Sequence, residues 1–234
     1  MLELLIIFFG ATLLRAIFGF GDALVAMPLL SLVLGIKVAA PLFALCASSS
    51  ALTMVLTNWN KIDFGATRQL LLATLVGIPL GIVLIQFMPE RWVLIGLGLF
   101  LISFGLSQLF QVKLPKPNGS PWAYGFGFIA GLLGSAYNVN GPPVVTYAAL
   151  CQWSPDKTRA TLQGYFFPAG LMIVASHALS GLLTVEVVRL YLWALPAILL
   201  ATFVGGRVQK AMSSQRFKML LFVLLIILGF RLLV

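Results

Sequence analysis

Arg15, Asp22, Asn138 and Asn140 stand inside long apolar runs, where polar groups find little water. Asp22 ends the stretch Phe18-Gly19-Phe20-Gly21-Asp22. Both asparagines lie in Gly134-Ser135-Ala136-Tyr137-Asn138-Val139-Asn140-Gly141-Pro142-Pro143. The second stretch cannot carry a smooth helix, since Gly costs about 1 kcal/mol in a helix interior and Pro about 3. Its first proline also pushes the preceding residue out of the α region. A helix that stops and restarts exposes backbone N–H groups at the restart, with a partial positive charge there. Such an end suits an anion. Gly19, Gly21, Gly134 and Gly141 would let a ligand approach the backbone. Pro142 at a helix start loses nothing, because its N–H would be unpaired anyway.

The side chains around the breaks leave choices open. Asn138 and Asn140 could donate to an anion or satisfy the freed backbone. Asp22 could take up a coupling proton, or cap a helix and pair with Arg15. Arg15, about two turns before the break, could supply counter-charge or serve that pair. Tyr137 and Tyr147 could complete a donor set or belong to an interfacial aromatic belt. Gln163, Gly170 and His177 share a helical face, where His177 could serve substrate, protons or packing. Cys46, Ser49, Ser50, Thr53 and Thr57 form another stripe. Small hydroxyls of that kind line pores, bond the preceding turn or mediate packing.

The elements that must hold these groups are membrane helices. Of 234 residues, 61% are hydrophobic and 9% charged, against roughly 25% charged in soluble domains. Only helices and closed barrels satisfy the backbone in lipid. The apolar runs are about 17 to 23 residues long and do not alternate in polarity, which predicts helices. They fall near 2–18, 23–35, 39–57, 65–87 and 93–110, then near 121–135, 142–152, 161–181, 187–208 and 217–233. The expected fold is an all-α integral membrane protein with about eight transmembrane helices plus broken or re-entrant segments. Residues 113–120 form a linker between a first membrane repeat, 1–112, and a second, 121–234. The apolar N-terminus lacks a basic flank and cleavage site, and reads as a retained first helix.

The halves repeat a plan. Gly19 and Pro28 are spaced as Gly134 and Pro143 are; Arg68, Gly81 and Arg91 find counterparts in Arg189, Gly205 and Arg216. Charge tests the topology. If each broken segment crosses once, eight basic residues face six. If each is a hairpin returning to its starting side, Lys61, Arg68, Lys113, Lys116, Lys157, Arg159, Arg207, Lys210, Arg216 and Lys218 face Lys37, Arg91, Arg189 and Arg231. The richer side is then cytoplasmic, and the second half is inverted relative to the first. Interrupted segments in corresponding positions of two halves point to a transport site.

Other classes are poorly served. The net charge of +9 follows from basic cytoplasmic loops and implies no nucleic acid. Cys46 and Cys151 read as packing residues. Six acids and one His are too few for an elaborate hydrolytic or metal site, and no Walker or G-x-S-x-G motif is present. The expectation is no enzyme, no metal and no cofactor.

Gly19 to Leu30 (GFGDALVAMPLL) resembles the N-terminal signature of the TauE/SafE family of sulfite exporters, with Asp22 where another Gly often stands. Tyr137 to Tyr147 (YNVNGPPVVTY) resembles the signature of its second half. The resemblance implies a secondary transporter of small sulfur-containing or carboxylate anions, such as sulfite or organosulfonates, in a bacterial inner membrane. Its expected partners are the anion, H+ and the bilayer. A channel for a small anion or solute, or a non-transporting assembly subunit, are the alternatives.

Overall fold

The structure, a computed structural model, describes residues 2–58, 63–110, 121–208 and 215–233. The linker at 113–120, Lys61 and Lys210 lie outside the described residues, as do the side chains of Thr57, Arg159, Arg216 and Lys218. Ten helices are present among the described residues: α1 Leu2–Phe18, α2 Asp22–Leu34, α3 Ile36–Asn58, α4 Phe64–Phe87, α5 Glu90–Leu109, α6 Pro121–Tyr137, α7 Gly141–Leu150, α8 Pro155–Leu179, α9 Val185–Val208 and α10 Gln215–Leu233. Five of them, α3, α4, α5, α8 and α9, are long and apolar enough to cross a membrane. Helices α1 and α6 stop at the breaks after 17 residues each.

Each break is a reversal of direction. Phe8 stacks on Phe43 with ring centroids 6.2 Å apart, and Arg15 Nη1 donates to the Ala47 carbonyl at 3.2 Å. Residues near the starts of α1 and α3 thus meet, as do residues further along both. The two helices run in the same direction, so α2, which joins them, runs back. The second half behaves alike. Thr74 Oγ1 bonds both the Gly127 carbonyl of α6 and the Tyr165 hydroxyl of α8, and the Ser135 carbonyl meets His177. Helices α6 and α8 therefore run together and α7 returns between them.

The helix bounds on the two sides of the 113–120 stretch run in step over the broken helices. Helix α1 ends at Phe18 and α6 at Tyr137; α2 starts at Asp22 and α7 at Gly141; each pair differs by 119 (137 − 18 and 141 − 22). This register moves the first pairing by about a turn. Counted from these helix ends, Gly19 stands level with Asn138. Both have positive φ, 86° and 55°, and both N–H groups donate four residues back, to Arg15 O at 2.7 Å and Gly134 O at 2.8 Å. Asn is the residue besides Gly that tolerates a left-handed helix end, so matching Gly to Gly misses the equivalence. Pro143 sits in the first turn of α7, whereas Pro28 lies inside α2.

Packing also pairs across the halves. Helix α4 lies against α6 and α9 against α1, while α5 crosses α10 and α3 crosses α8. Backbones approach closely where glycine removes the side chain. A Cβ on Gly131 would strike the Thr74 backbone of α4. Gly98 of α5 lies against the Gly229 carbonyl of α10. Helices α3 and α8 run antiparallel: Ala44 clusters with Ile173, Ser48 lies beside Gly170, and Asp63 just past α3 meets Lys157 and Thr161 near the start of α8.

Candidate anion site at the meeting of the two breaks

The restarts of α2 and α7 face one cavity of about 30 Å³, room for about one water. Arg15, Phe20, Gly21 and Asp22 line it from the first break, and Asn138, Val139, Asn140, Gly141 and Pro142 from the second. Between them stand Phe43, Ala47 and Ser48 of α3 and Phe166, Gly170 and Ile173 of α8. Neither restart is capped by a side chain: Gly21, with φ 99°, has none, and the Asn140 side chain makes no cap bond. Helix α2 therefore presents the N–H groups of Asp22, Ala23 and Leu24. Helix α7 presents chiefly that of Gly141, since Pro142 and Pro143 have no N–H.

Arg15 carries the positive charge of the cavity. It is buried, 4% exposed. Its Nη1 pairs with Asp22 Oδ2 at 3.0 Å, Nη2 reaches Gln163 Oε1 at 3.5 Å, and the guanidinium lies 5.1 Å from the Phe166 ring centroid. Its Nε is buried without a hydrogen-bond partner. A burial of this kind is tolerable only with compensating partners, and Asp22 at the first turn of α2 serves both the arginine and the helix dipole.

Two side chains of α8 close the frayed ends of the broken helices. Gln163 Nε2 donates to the Gly19 carbonyl at 2.8 Å. His177 Nε2 lies 2.9 Å from the Ser135 carbonyl, one of the acceptors left over where α6 stops. Asn138 Nδ2 donates to the Ala40 carbonyl at 2.8 Å and so holds the second break against α3. Of the residues singled out from sequence, Arg15, Gly21, Asp22, Asn138, Asn140, Gly141 and Pro142 share the cavity. Gly19, Gly134, Tyr137, Gln163 and His177 are not among its lining. Gly134 packs beside Ile173 and Asn140, and the Tyr137 hydroxyl lies beside Gly96.

The stripe on α3 resolves toward packing. Ser49 bonds the Leu45 carbonyl and the Tyr191 hydroxyl, Ser50 the Ala47 carbonyl and Thr53 the Ser50 carbonyl. Ser48, outside that stripe, is the hydroxyl that lines the cavity. Phe166 and Ile173 were legible in principle, because they fall on the face of α8 already marked by Gln163, Gly170 and His177. Phe43 and Ser48 carried no such signal. Among the described residues no cluster of His, Cys, Asp or Glu could hold a metal ion.

Two broken helices of an apolar chain thus restart against one cavity that holds the buried Arg15–Asp22 pair. The family model of the sulfite exporter TauE/SafE matches residues 4–232, and the chain belongs to that family of membrane transporters. Comparison with curated proteins and with solved structures found no match in either set.

Proposed function

We propose that this protein is a secondary carrier for a small anion, sulfite or an organosulfonate or a related sulfur or carboxylate anion, in a bacterial inner membrane. The anion sits between the breaks, held by Arg15, the N–H groups at the start of α2, Gly141 and the Asn140 amide. The observation that carries this reading is the convergence of two uncapped helix starts, one from each half, on the buried Arg15. Helix starts and a guanidinium are the two standing sources of positive potential available to bind an anion without metal chemistry.

The carrier works by alternating access of two inverted repeats, 1–112 and 121–234, joined by 113–120. The matched helix ends and the antiparallel course of α3 and α8 support the inversion, because α1 follows α3 and α6 follows α8. The hairpin form of both breaks supports the arrangement in which Lys157 lies on the cytoplasmic side. A cavity of about 30 Å³ has room for about one water, so the two breaks must part to admit a sulfur oxyanion. Transport is driven by protons or another gradient.

Counterflow in proteoliposomes tests the reading. Vesicles preloaded with sulfite or methanesulfonate should accelerate uptake of the labelled anion, as a carrier requires. Flux without counterflow would instead establish a channel, and no flux for any small sulfur or carboxylate anion would remove the substrate class.

A further inference from the structure

Among the described residues, Arg15 and Asp22 are the only titratable side chains lining the cavity. Helix α1 contributes the arginine and α2 the carboxylate; the lining residues of α3, the α6–α7 break and α8 are apolar or uncharged. With the pair formed at 3.0 Å, the empty cavity carries no net charge. Asp22 occupies one arm of the guanidinium, Nη1, which also reaches Ala47 O. The other edge, Nε with Nη2, is the side-on fork that takes two oxygens of an oxyanion in parallel. It holds only the 3.5 Å contact to Gln163, and its Nε has no partner although buried.

We propose that the transported anion and the Asp22 carboxylate compete for Arg15, so that a monoanion enters the cavity together with one proton, which Asp22 takes. The inference rests on the anion reading above and names its coupling ion. The charges balance. Empty, the site holds a guanidinium and a carboxylate; loaded, it holds the guanidinium, the anion and a neutral carboxylic acid. Both states are neutral, so each can change its exposure across the membrane without moving charge through the field. A charged Asp22 carboxylate beside the bound anion would put two negative charges against one arginine in a buried site. The paired carboxylate also keeps Arg15 compensated on the return leg, when an unpaired buried charge would be costly.

The test uses methanesulfonate, whose own charge does not change in the working range, on the purified full-length protein. Affinity is read by thermal shift or calorimetry between about pH 5 and about pH 8. The wild type should bind more weakly as pH rises, by up to tenfold per unit, and binding should take up one proton. Asp22→Asn should bind with an affinity that does not change with pH and take up no proton. Methanesulfonate binding that is independent of pH in the wild type, with no proton uptake, would overturn the competition while leaving the anion site standing. No binding of methanesulfonate, sulfite or thiosulfate at any pH would overturn both. The wild-type profile decides the matter even if Asp22→Asn fails to fold.

Discussion

Gln163 on α8 donates its amide to the carbonyl of Gly19, 144 residues earlier in the chain, at 2.8 Å. The same glutamine faces Arg15 with its oxygen. One side chain from the second half thus holds both the broken backbone and the charge of the first. Four turns further along the same face, His177 does the corresponding work at Ser135. Helix α8 is therefore the strut on which both breaks are hung, with the cavity between its two polar contacts.

Removing either contact should destabilise the protein. Gln163→Leu and His177→Leu each leave a buried carbonyl without its side-chain partner, at a cost of about 1–3 kcal/mol. The expected result is a lower thermal midpoint for both variants. Gln163→Leu should also weaken anion binding, because Arg15 loses a neighbour; His177→Leu should leave the ligand-induced shift near the wild-type value. Equal loss of binding in both would show that α8 acts only as a scaffold.

The two asparagines separate in the same way. Asn138 spends its amide on Ala40 and holds a φ of 55°, so Asn138→Ala should cost about 1–3 kcal/mol through the lost bond and the backbone strain. Asn140 is partly exposed to the cavity and caps nothing, so Asn140→Ala should keep its melting temperature and lose part of the anion-induced stabilisation. Melting curves with and without sulfite read both effects. A destabilised Asn140→Ala with normal binding would assign the second asparagine to structure as well.

Close helix crossing makes a third prediction. Gly131→Ala would drive a methyl group into the Thr74 backbone, while a Cβ on Gly125 meets nothing within 4 Å. The first change should cost about 3 kcal/mol or more, the upper range for overpacking, and reduce the yield of monodisperse protein. Gly125→Ala should be neutral or slightly stabilising, since Ala is the better helix former by about 1 kcal/mol. Size-exclusion profiles of the two variants side by side would show whether the α4–α6 contact has room to spare.

Asp63 gives a pH signature away from the cavity. Its carboxylate accepts from the Ala66 N–H as the cap of α4 and pairs with Lys157 at 2.7 Å. The Lys157 side chain, then the Ala66 N–H, lower its pKa below the ordinary carboxylate value. A lowered native pKa stabilises the fold above the unfolded pKa, and that share is lost as pH falls through the native value. The stability difference between wild type and Asp63→Asn should therefore be constant near neutrality and shrink below about pH 4. A difference unchanged into acid would mean that the carboxylate charge contributes nothing to this contact.

Much of the architecture could be read from the residues alone, because a membrane helix announces itself by length and apolarity. The ten helices fall within a few residues of the apolar runs, except that α8 begins six residues before the apolar stretch at 161, at Pro155 with Ser154 as its cap. The two breaks were equally legible, since Gly19, Gly21, Pro142 and Pro143 have backbone requirements that no neighbour overrides. Charge asymmetry favoured hairpins over crossings, and the contacts Phe8–Phe43 and Ser135–His177 have that form.

What only the tertiary structure decided is which polar atoms meet. Periodicity put Gln163 and His177 on one face of α8 but could not say that both would reach broken backbones in other helices. Composition placed Asn138 and Asn140 side by side; packing against α3 turned one inward to Ala40 and left the other at the cavity. Even the repeat register depended on geometry, because Gly19 and Asn138 share a left-handed backbone rather than a residue type. Local sequence dictates where a helix must break, since that cost is paid within one turn. The partners of the freed groups lie more than a hundred residues away, and only the folded chain brings them within hydrogen-bond reach.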